Sequence, residues 1–365
     1  MRVSLLDPWL YDVGGHFLDW DLRIVDELKA LGHEVRLYSH TSISTNAQRH
    51  ASARAEVFPI FRGDCFAHPG QIDPVAGEII LFLDGAATLA DDLARVGQSH
   101  IWIWPSLTAS HLYACANVAP NVGISACIHE EPTHILPNGR MWWRYAFIRA
   151  ARADLRLNLG TPSKRLSEEY SGLSGQIRIN RFPVPHNGAP CETMKTALRR
   201  IGFFGAQRFE KGAEVLPTLI PRLLRDGYEV VLHDSGSMVR AEAMPGLTVL
   251  GYIPALADEI AKCDLVVMPY DAKRYRIRAS GILWECIASG VPAIVPDETD
   301  IGGQVRRAGA GTTFRSFSAV EIYRSIVEAR RNFGEFASAA FEQSRRWPEA
   351  EGSCRFVAAM LGEAN

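Results

Sequence analysis

The chain lacks any Cys-x-x-Cys pair. Its seven cysteines, an odd number spread over 365 residues, form neither a zinc-ligand pattern nor a disulfide framework and read as scattered core thiols. No apolar run approaches the roughly 18–20 residues needed to span a bilayer. The opening stretch Met1–Trp9 reads as a first strand, without the long apolar region of a secretory leader. Neither sign of charge dominates: 39 Lys and Arg stand against 41 Asp and Glu, for a formal net charge of -2. Nothing in that balance calls for nucleic acid as a partner. Internal repeats and low-complexity tracts are missing as well. The expectation is a cytoplasmic protein. Its 47% hydrophobic and 22% charged content suits a soluble globular chain, and its length suits two domains better than one core.

What is present is alternation. Short β-rich apolar runs alternate with helical patterns, which argues for parallel α/β architecture. In the first half, strands are expected at 2–6, 34–38, 56–60, 79–83, 101–103, 123–127 and 155–158. Leu18–Leu31 carries apolar positions at helical spacing before Gly32 ends the run. The pattern breaks near 182–199, where Phe182-Pro-Val-Pro-His-Asn-Gly-Ala-Pro190 has many breakers and no period. A second α/β series follows, with strands at 200–204, 229–233, 247–250, 265–268 and 293–295. Helices are expected at 212–226, 256–262, 280–289, 319–333, 335–346 and 350–363. The expected division is a first domain over 1–185, a linker over 186–199, a second domain over 200–346 and a C-terminal helix over 347–365 returning to the first domain.

The chemistry-bearing stretch runs from Tyr275 to Pro296. Ser280, Gly281 and Ile282 sit where a helix begins, and free amides at a positive dipole end suit a phosphate. Arg276 and Arg278 add cationic donors just upstream. Glu285, one turn in, is spaced to reach ribose hydroxyls. The combination suggests a nucleoside-diphosphate sugar. An ordinary loop–helix–strand unit with a surface Glu is the plain alternative. Earlier, Phe203–Gly212 leads a strand through Gly205 into a loop bearing Arg208 and Lys211, charges suited to a departing diphosphate. The turn Gly251-Tyr252-Ile253-Pro254 offers backbone groups to a nucleobase edge.

In the first half, Ile128-His129-Glu130-Glu131-Pro132-Thr133-His134 follows a strand end. There His129 can orient a hydroxyl, and Glu130 or Glu131 can contact an acceptor or act as an acid–base partner. The spacing matches no strong zinc pattern, so no metal is expected. Gly14, Gly15 and His16 follow the first strand and allow close backbone approach or an anion nest. The aromatic, basic helix 141–152 is the candidate for peripheral contact with an anionic membrane face, within reach of a lipid-linked acceptor. Docking of that helix into its own sheet is the alternative.

Three motifs in this order resemble the retaining GT-B glycosyltransferases grouped as family four. They are Gly205…Lys211-Gly212, Gly251-Tyr252-Ile253-Pro254, and Gly281-Ile-Leu-Trp-Glu285-Cys-Ile-Ala-Ser-Gly290-Val-Pro292. The resemblance implies two Rossmann-like domains facing an interdomain cleft, and transfer of a sugar from a nucleotide diphosphate to a glycan, lipid-linked or small-molecule hydroxyl. It further implies retention of configuration, independence of metal, and no cofactor beyond the nucleotide-sugar co-substrate. Lys211 and Arg208 would hold the diphosphate, with His129 beside the reacting centre. Gly205, Tyr252, Ile253, Tyr275, Arg278, Ser280, Gly281, Ile282 and Glu285 would bind the donor; Gly14, Gly15, His16, Glu130 and Glu131 the acceptor. Two positions depart from the family pattern: Ala206 where an Arg is usual, and Ile277 where the first acid of a Glu pair contacts the donor sugar. Ile277 motivates an alternative, a catalytically impaired GT-B scaffold that binds nucleotide or a partner protein. A nucleotide-sugar epimerase on the same fold is a third reading.

Overall fold

The computed structural model describes residues 1–13, 17–63, 74–118, 121–239 and 244–363. The chain divides into two compact units, Met1–Pro185 with Ser353–Asn365, and His186–Gly352.

In the first unit the chain runs β1 (Arg2–Leu6), α1 (Phe17–Ala30), β2 (Glu34–His40), α2 (Thr45–Ser52), β3 (Glu56–Phe61), α3 (Pro74–Leu93), β4 (Ile101–Trp104), α4 (Ala109–Val118), β5 (Gly123–Cys127), α5 (Gly139–Arg152), β6 (Leu157–Thr161), α6 (Lys164–Ser174) and β7 (Ile179–Arg181). All seven strands are parallel, in the order β3-β2-β1-β4-β5-β6-β7. A strand covered on both faces has no reason to alternate, and β1 accordingly reads Val-Ser-Leu-Leu with all four residues buried. Leu18, Leu22, Val25 and Leu28 of α1 repeat at 4-3-3 spacing and close the core over β1 and β2.

The second unit runs β8 (Arg200–Phe203), α7 (Leu216–Arg225), β9 (Glu229–His233), β10 (Leu247–Leu250), α8 (Leu256–Ala261), β11 (Leu265–Val267), α9 (Gly281–Ala288), β12 (Ala293–Pro296), α10 (Asp300–Ala308), β13 (Gly311–Phe314), α11 (Ala319–Arg331) and α12 (Phe333–Ala350). Its sheet is again parallel, ordered β10-β9-β8-β11-β12-β13. The last helix, α13 (Ser353–Leu361), belongs to the first unit, where Phe356, Val357 and Met360 are fully buried.

The structure departs from the sequence reading in several places. Residues 79–83 are not a strand but part of α3. Phe82, Ala86, Leu89 and Leu93 are buried at 4-3-4 spacing while Ile79, Ile80 and Leu83 are exposed. That is a helical period, which the apolar run Ile79–Leu83 disguised. The helix expected from Gly212 starts later: Phe209–Lys211 forms a 3-10 turn, and Gly212, at φ 91°, breaks it from α7. A Cβ at Gly212 would lie 2.5 Å from the carbonyl oxygen of Pro269, so the loop packs there only as glycine. The pair α10–β13 went unread because Gly302 and Gly303 hide the helix, which Thr299 caps through Gly302 N. Finally, α12 continues through Pro348, so the second unit ends at Gly352 rather than at Arg346.

One buried feature of the first unit had no sequence signal. Asp7, at the end of β1, and Asp21, on α1, are 1% and 0% exposed and close enough for the charge of one to act on the other. Two buried carboxyls side by side favour sharing one proton. Burial is the leading cause that raises both acids, Asp7 to about 7, with Asp21 raised further by the neighbouring Asp7 charge. A raised folded pKa gives stability that is complete below the unfolded value near 3.8 and is lost as pH climbs through about 7. Asp21→Asn would supply a fixed N–H donor to an ionised Asp7. It should therefore leave the melting temperature unchanged at pH 3.5 and raise it at pH 8 by several degrees, at roughly 2–4 °C per kcal/mol for a unit of this size. Equal shifts at both pH values in thermal denaturation would show that the pair holds no proton.

Candidate functional site

Each sheet reverses its winding once, between β1 and β4 in the first unit and between β8 and β11 in the second. Open parallel sheets leave a crevice at such a switch, beyond the carboxyl ends of the strands, and ligands bind there. Among the described residues singled out from sequence, Gly205 and Lys211 follow β8, Ser280 to Ile282 follow β11, and His129 to Glu131 follow β5, whereas Tyr252 and Ile253 follow the edge strand β10.

In the second unit, β8 delivers Gly205 at φ 93°. A Cβ there would lie 3.5 Å from Lys211 Nζ and 3.6 Å from the Ile282 side chain. Gly205, Lys211 and the first turn of α9 therefore surround one point. Gln207 pins this loop, donating from Nε2 to the carbonyls of Gly205 and His233. Lys211 Nζ also lies 5.7 Å from the ring centre of Tyr270, whose partner ring, Tyr275, lies tilted at 4.3 Å and carries the Arg278 guanidinium at 5.7 Å. Ser280 caps α9 by accepting from Leu283 N. Arg208 stands further out, its side chain 65% exposed and 3.9 Å from Glu210. Tyr252 is exposed and Ile253 packs partly into the core. The ring of His233 bonds the backbone of Gly251, and burial, then Lys211, lowers its pKa. Ile277 is 2% exposed and belongs to the buried core, as do Tyr270, Tyr275 and Ile282 nearby in sequence.

Glu285, expected to face a ribose, is only 2% exposed. His186 Nδ1 lies 2.8 Å from its Oε1, and the Gly188 N–H donates to its Oε2 at 3.2 Å. Residues 186–189, expected as linker, run along α9 instead: Ala189 N donates to Ser289 Oγ, and a Cβ at Gly188 would lie 2.5 Å from the Ala288 backbone. His186 is the residue that sequence reasoning missed. A Cβ on Gly281 would lie 3.1 Å from its Cε1 and 3.3 Å from its Nε2, which puts the imidazole edge at the start of α9. Trp284 lies 5.2 Å from the ring, and Trp347 Nε1 donates to the His186 carbonyl. The breaker-rich Pro-x-Pro-His-Asn-Gly string disguised a fixed side chain.

In the first unit, β5 delivers His129, whose Nδ1 lies 3.2 Å from Ser106 Oγ, just beyond β4. Glu130 approaches His129 Nε2 at 3.7 Å and His134 Nε2 at 3.5 Å, and Tyr170 donates to its carbonyl. Burial, with a lesser push from His134, lowers His129 to about 4, and burial lowers the neighbouring His111 to about 3. Both rings are therefore neutral at physiological pH and can accept a hydrogen bond. His129, Glu130 and Glu131 line one cavity of about 280 Å³ with Ser106, His111 and Trp142. Gly14, Gly15 and His16 lie outside the described residues. Among the described residues, no group of three or more His, Cys, Asp or Glu is arranged to hold a metal ion.

Helix α5 turns most of its aromatic residues inward. Trp142 stacks on Phe82 at 4.5 Å and Trp143 meets Tyr170 at 4.9 Å, while Met141, Tyr145 and Ile148 remain exposed. Among the described residues, no helix is long and apolar enough to cross a membrane.

No protein-family model and no curated protein matches the sequence. Solved structures do match along its whole length. Sucrose-phosphate synthase from Thermosynechococcus elongatus superposes with a TM-score of 0.69 at 11% identity, covering 99% of this chain and 97% of that one. The glycosyltransferase VinC, in complex with DTDP, gives 0.60 at 14% identity over 100% and 99% of the two chains. The spinosyn rhamnosyltransferase SpnG, complexed with spinosyn aglycone, gives 0.61 at 16% over 99% and 100%. Identities this low show fold alone, and the fold is the two-domain α/β GT-B fold.

Proposed function

We propose that the protein is a glycosyltransferase that moves a sugar from a nucleoside-diphosphate donor, held by the second unit, to an acceptor hydroxyl held by the first. The observation that carries this reading is the convergence of Gly205, Lys211 Nζ and the first turn of α9 on one point beyond β8. A cation and a helix start with free amides suit a diphosphate. The same elements carry the three motifs that resemble family four, and solved GT-B structures include one with DTDP and one with an aglycone.

In the proposed step the bond from the anomeric carbon to the phosphate oxygen breaks and the acceptor oxygen bonds to that carbon. The acceptor proton passes to the departing diphosphate. Lys211, with Arg208 and the amides of Gly281 and Ile282, stabilises the negative charge that grows on the leaving group. His186 lies at the same helix start, and Glu285 acts through it, as the residue that fixes the ring. His129, held neutral, receives the acceptor hydroxyl. Resemblance to family four supports retention of configuration. The cations already present support transfer without a metal ion.

The buried Ile277 favours a second reading, a GT-B scaffold that binds nucleotide without turnover. Incubation with uridine-, guanosine-, adenosine- and thymidine-diphosphate sugars, plus acceptor, separates the two. Release of free nucleoside diphosphate together with a glycoside supports the enzyme, and saturable nucleotide binding without release supports the scaffold. Proton spectra of the glycoside report the anomeric outcome, and inversion would remove the family-four assignment. Activity should persist in a chelator; loss that magnesium or manganese restores would overturn metal independence.

Lys211→Ala should cut kcat by about 10²–10³-fold, the range seen when one donor to a developing oxyanion is lost, with a smaller change in nucleotide affinity. An unchanged kcat with only a raised KM would reduce Lys211 to an anchor. For His186→Ala, nucleoside diphosphate should bind more weakly while the free nucleoside binds as before, since the ring sits at the phosphate end. Calorimetry with both ligands checks this, and equal losses would confine His186 to packing.

A further inference from the structure

The cavity in the first unit joins apolar walls to acidic residues. It opens beyond β1, β4 and β5, with Trp9 on one wall and Phe82 and Trp142, stacked face to face at 4.5 Å, on another. Ile80 belongs both to the lining and to the exposed surface, so the rim is apolar too. Its polar groups gather at the strand ends, where Ser106 fixes His129 at 3.2 Å. At about 280 Å³ it lies near the lower edge of ordinary small-ligand pockets, roughly 300–1,000 Å³. Among the described residues that line it there is no Lys and no Arg, whereas Asp84, Glu130 and Glu131 contribute three carboxylates.

We propose that this cavity binds an uncharged apolar alcohol, an aromatic or alicyclic aglycone, with its rings against Phe82 and Trp142 and its hydroxyl at His129. The apolar walls reward ring burial at roughly 25 cal/mol per Å² removed from water. An anion would be stripped of water beside three acids and met by no Lys or Arg among the described residues of the lining, so the site disfavours a phosphorylated lipid or an acidic sugar. The neutral imidazole accepts the hydroxyl proton as a hydrogen bond, which orients the oxygen. That this alcohol is the sugar acceptor rests on the transferase reading above; the ligand class itself rests on the lining.

The test compares 2-naphthol with 6-hydroxy-2-naphthoate, the same rings with and without a carboxylate, by calorimetry on the full chain. The neutral compound should saturate one site, and the carboxylate should bind at least 10-fold more weakly. Gly85 lines the cavity, and a Cβ there meets nothing within 4 Å, so Gly85→Trp fills space without strain. It and Thr88→Trp, each checked for an unchanged melting temperature, should abolish 2-naphthol binding. Equal binding of the two compounds, absence of binding by both, or binding that survives both well-folded filled variants overturns the proposal. Uridine and thymidine diphosphate are titrated into the same samples. Failure of nucleotide binding with naphthol binding intact sinks the transferase reading alone, whereas the reverse sinks only the aglycone.

Discussion

In the second unit, the bond between Glu285 and His186 fixes what the start of α9 offers to a ligand. Both side chains are nearly sealed from water and 2.8 Å apart. Removing either partner leaves a buried polar group without its hydrogen bond, at a cost of about 1–3 kcal/mol and more if it is charged. Glu285 also accepts from the Gly188 N–H, so one carboxyl holds the ring and the strand of chain that carries it. Gly188, at φ 69° and hard against Ala288, lets that chain lie close enough. The imidazole edge then sits over Gly281, where a side chain would crowd it. A ligand at this helix start meets amides, Lys211 and a ring whose position was set during folding. Such preorganisation is what makes electrostatic stabilisation effective, since no group reorients as charge develops.

The first unit solves the opposite problem. Asp7 and His129 follow strand ends, Asp21 lies on α1 and His111 on α4, and burial drives each toward its neutral form. The acids keep a proton and the histidines lose theirs. Their stability contributions run in opposite directions. The acids lose theirs as pH climbs through about 7, and the histidines lose theirs as pH falls from the ordinary histidine value near 6.5 toward about 3–4. In the proposed acceptor cavity the apolar walls suit rings and the neutral His129 suits a hydroxyl, while Asp84, Glu130 and Glu131 stand against an anion.

Much of this was legible in the sequence. Parallel strands between helices and the breaker-rich change near 182–199, where the second unit begins at His186, follow from residue type and spacing, as does the start of α9 at Ser280 and Gly281. What stayed hidden was long-range pairing. Asp7 with Asp21 and His186 with Glu285 join residues that no local period connects. The run Ile79–Leu83 misled because a short apolar string fits a buried strand or one face of a helix equally well. Only the later positions, Ala86, Leu89 and Leu93, reveal the period. Glu285 was read as a ligand contact from its place one turn into a helix. Spacing shows which face a residue shares, but not whether another part of the chain has already claimed that face.

The two buried arrangements show why the switch points carry the polar residues at all. Elsewhere in each sheet both faces are covered by helices, and an unpaired polar side chain there would cost more than it returns. At β1/β4 and β8/β11 the covering helices part in opposite directions, so the strand ends are the place where hydrogen-bonding groups can be held without being wholly enclosed. Glycine appears wherever the backbone must come closest there: Gly205 beside Lys211, Gly212 against Pro269 and Gly281 under His186. A side chain would meet Lys211 at Gly205, the Pro269 backbone at Gly212 and the His186 ring at Gly281. The same reversal of winding that lets a parallel sheet be covered on both sides thus leaves the gap in which each unit keeps its reactive residues.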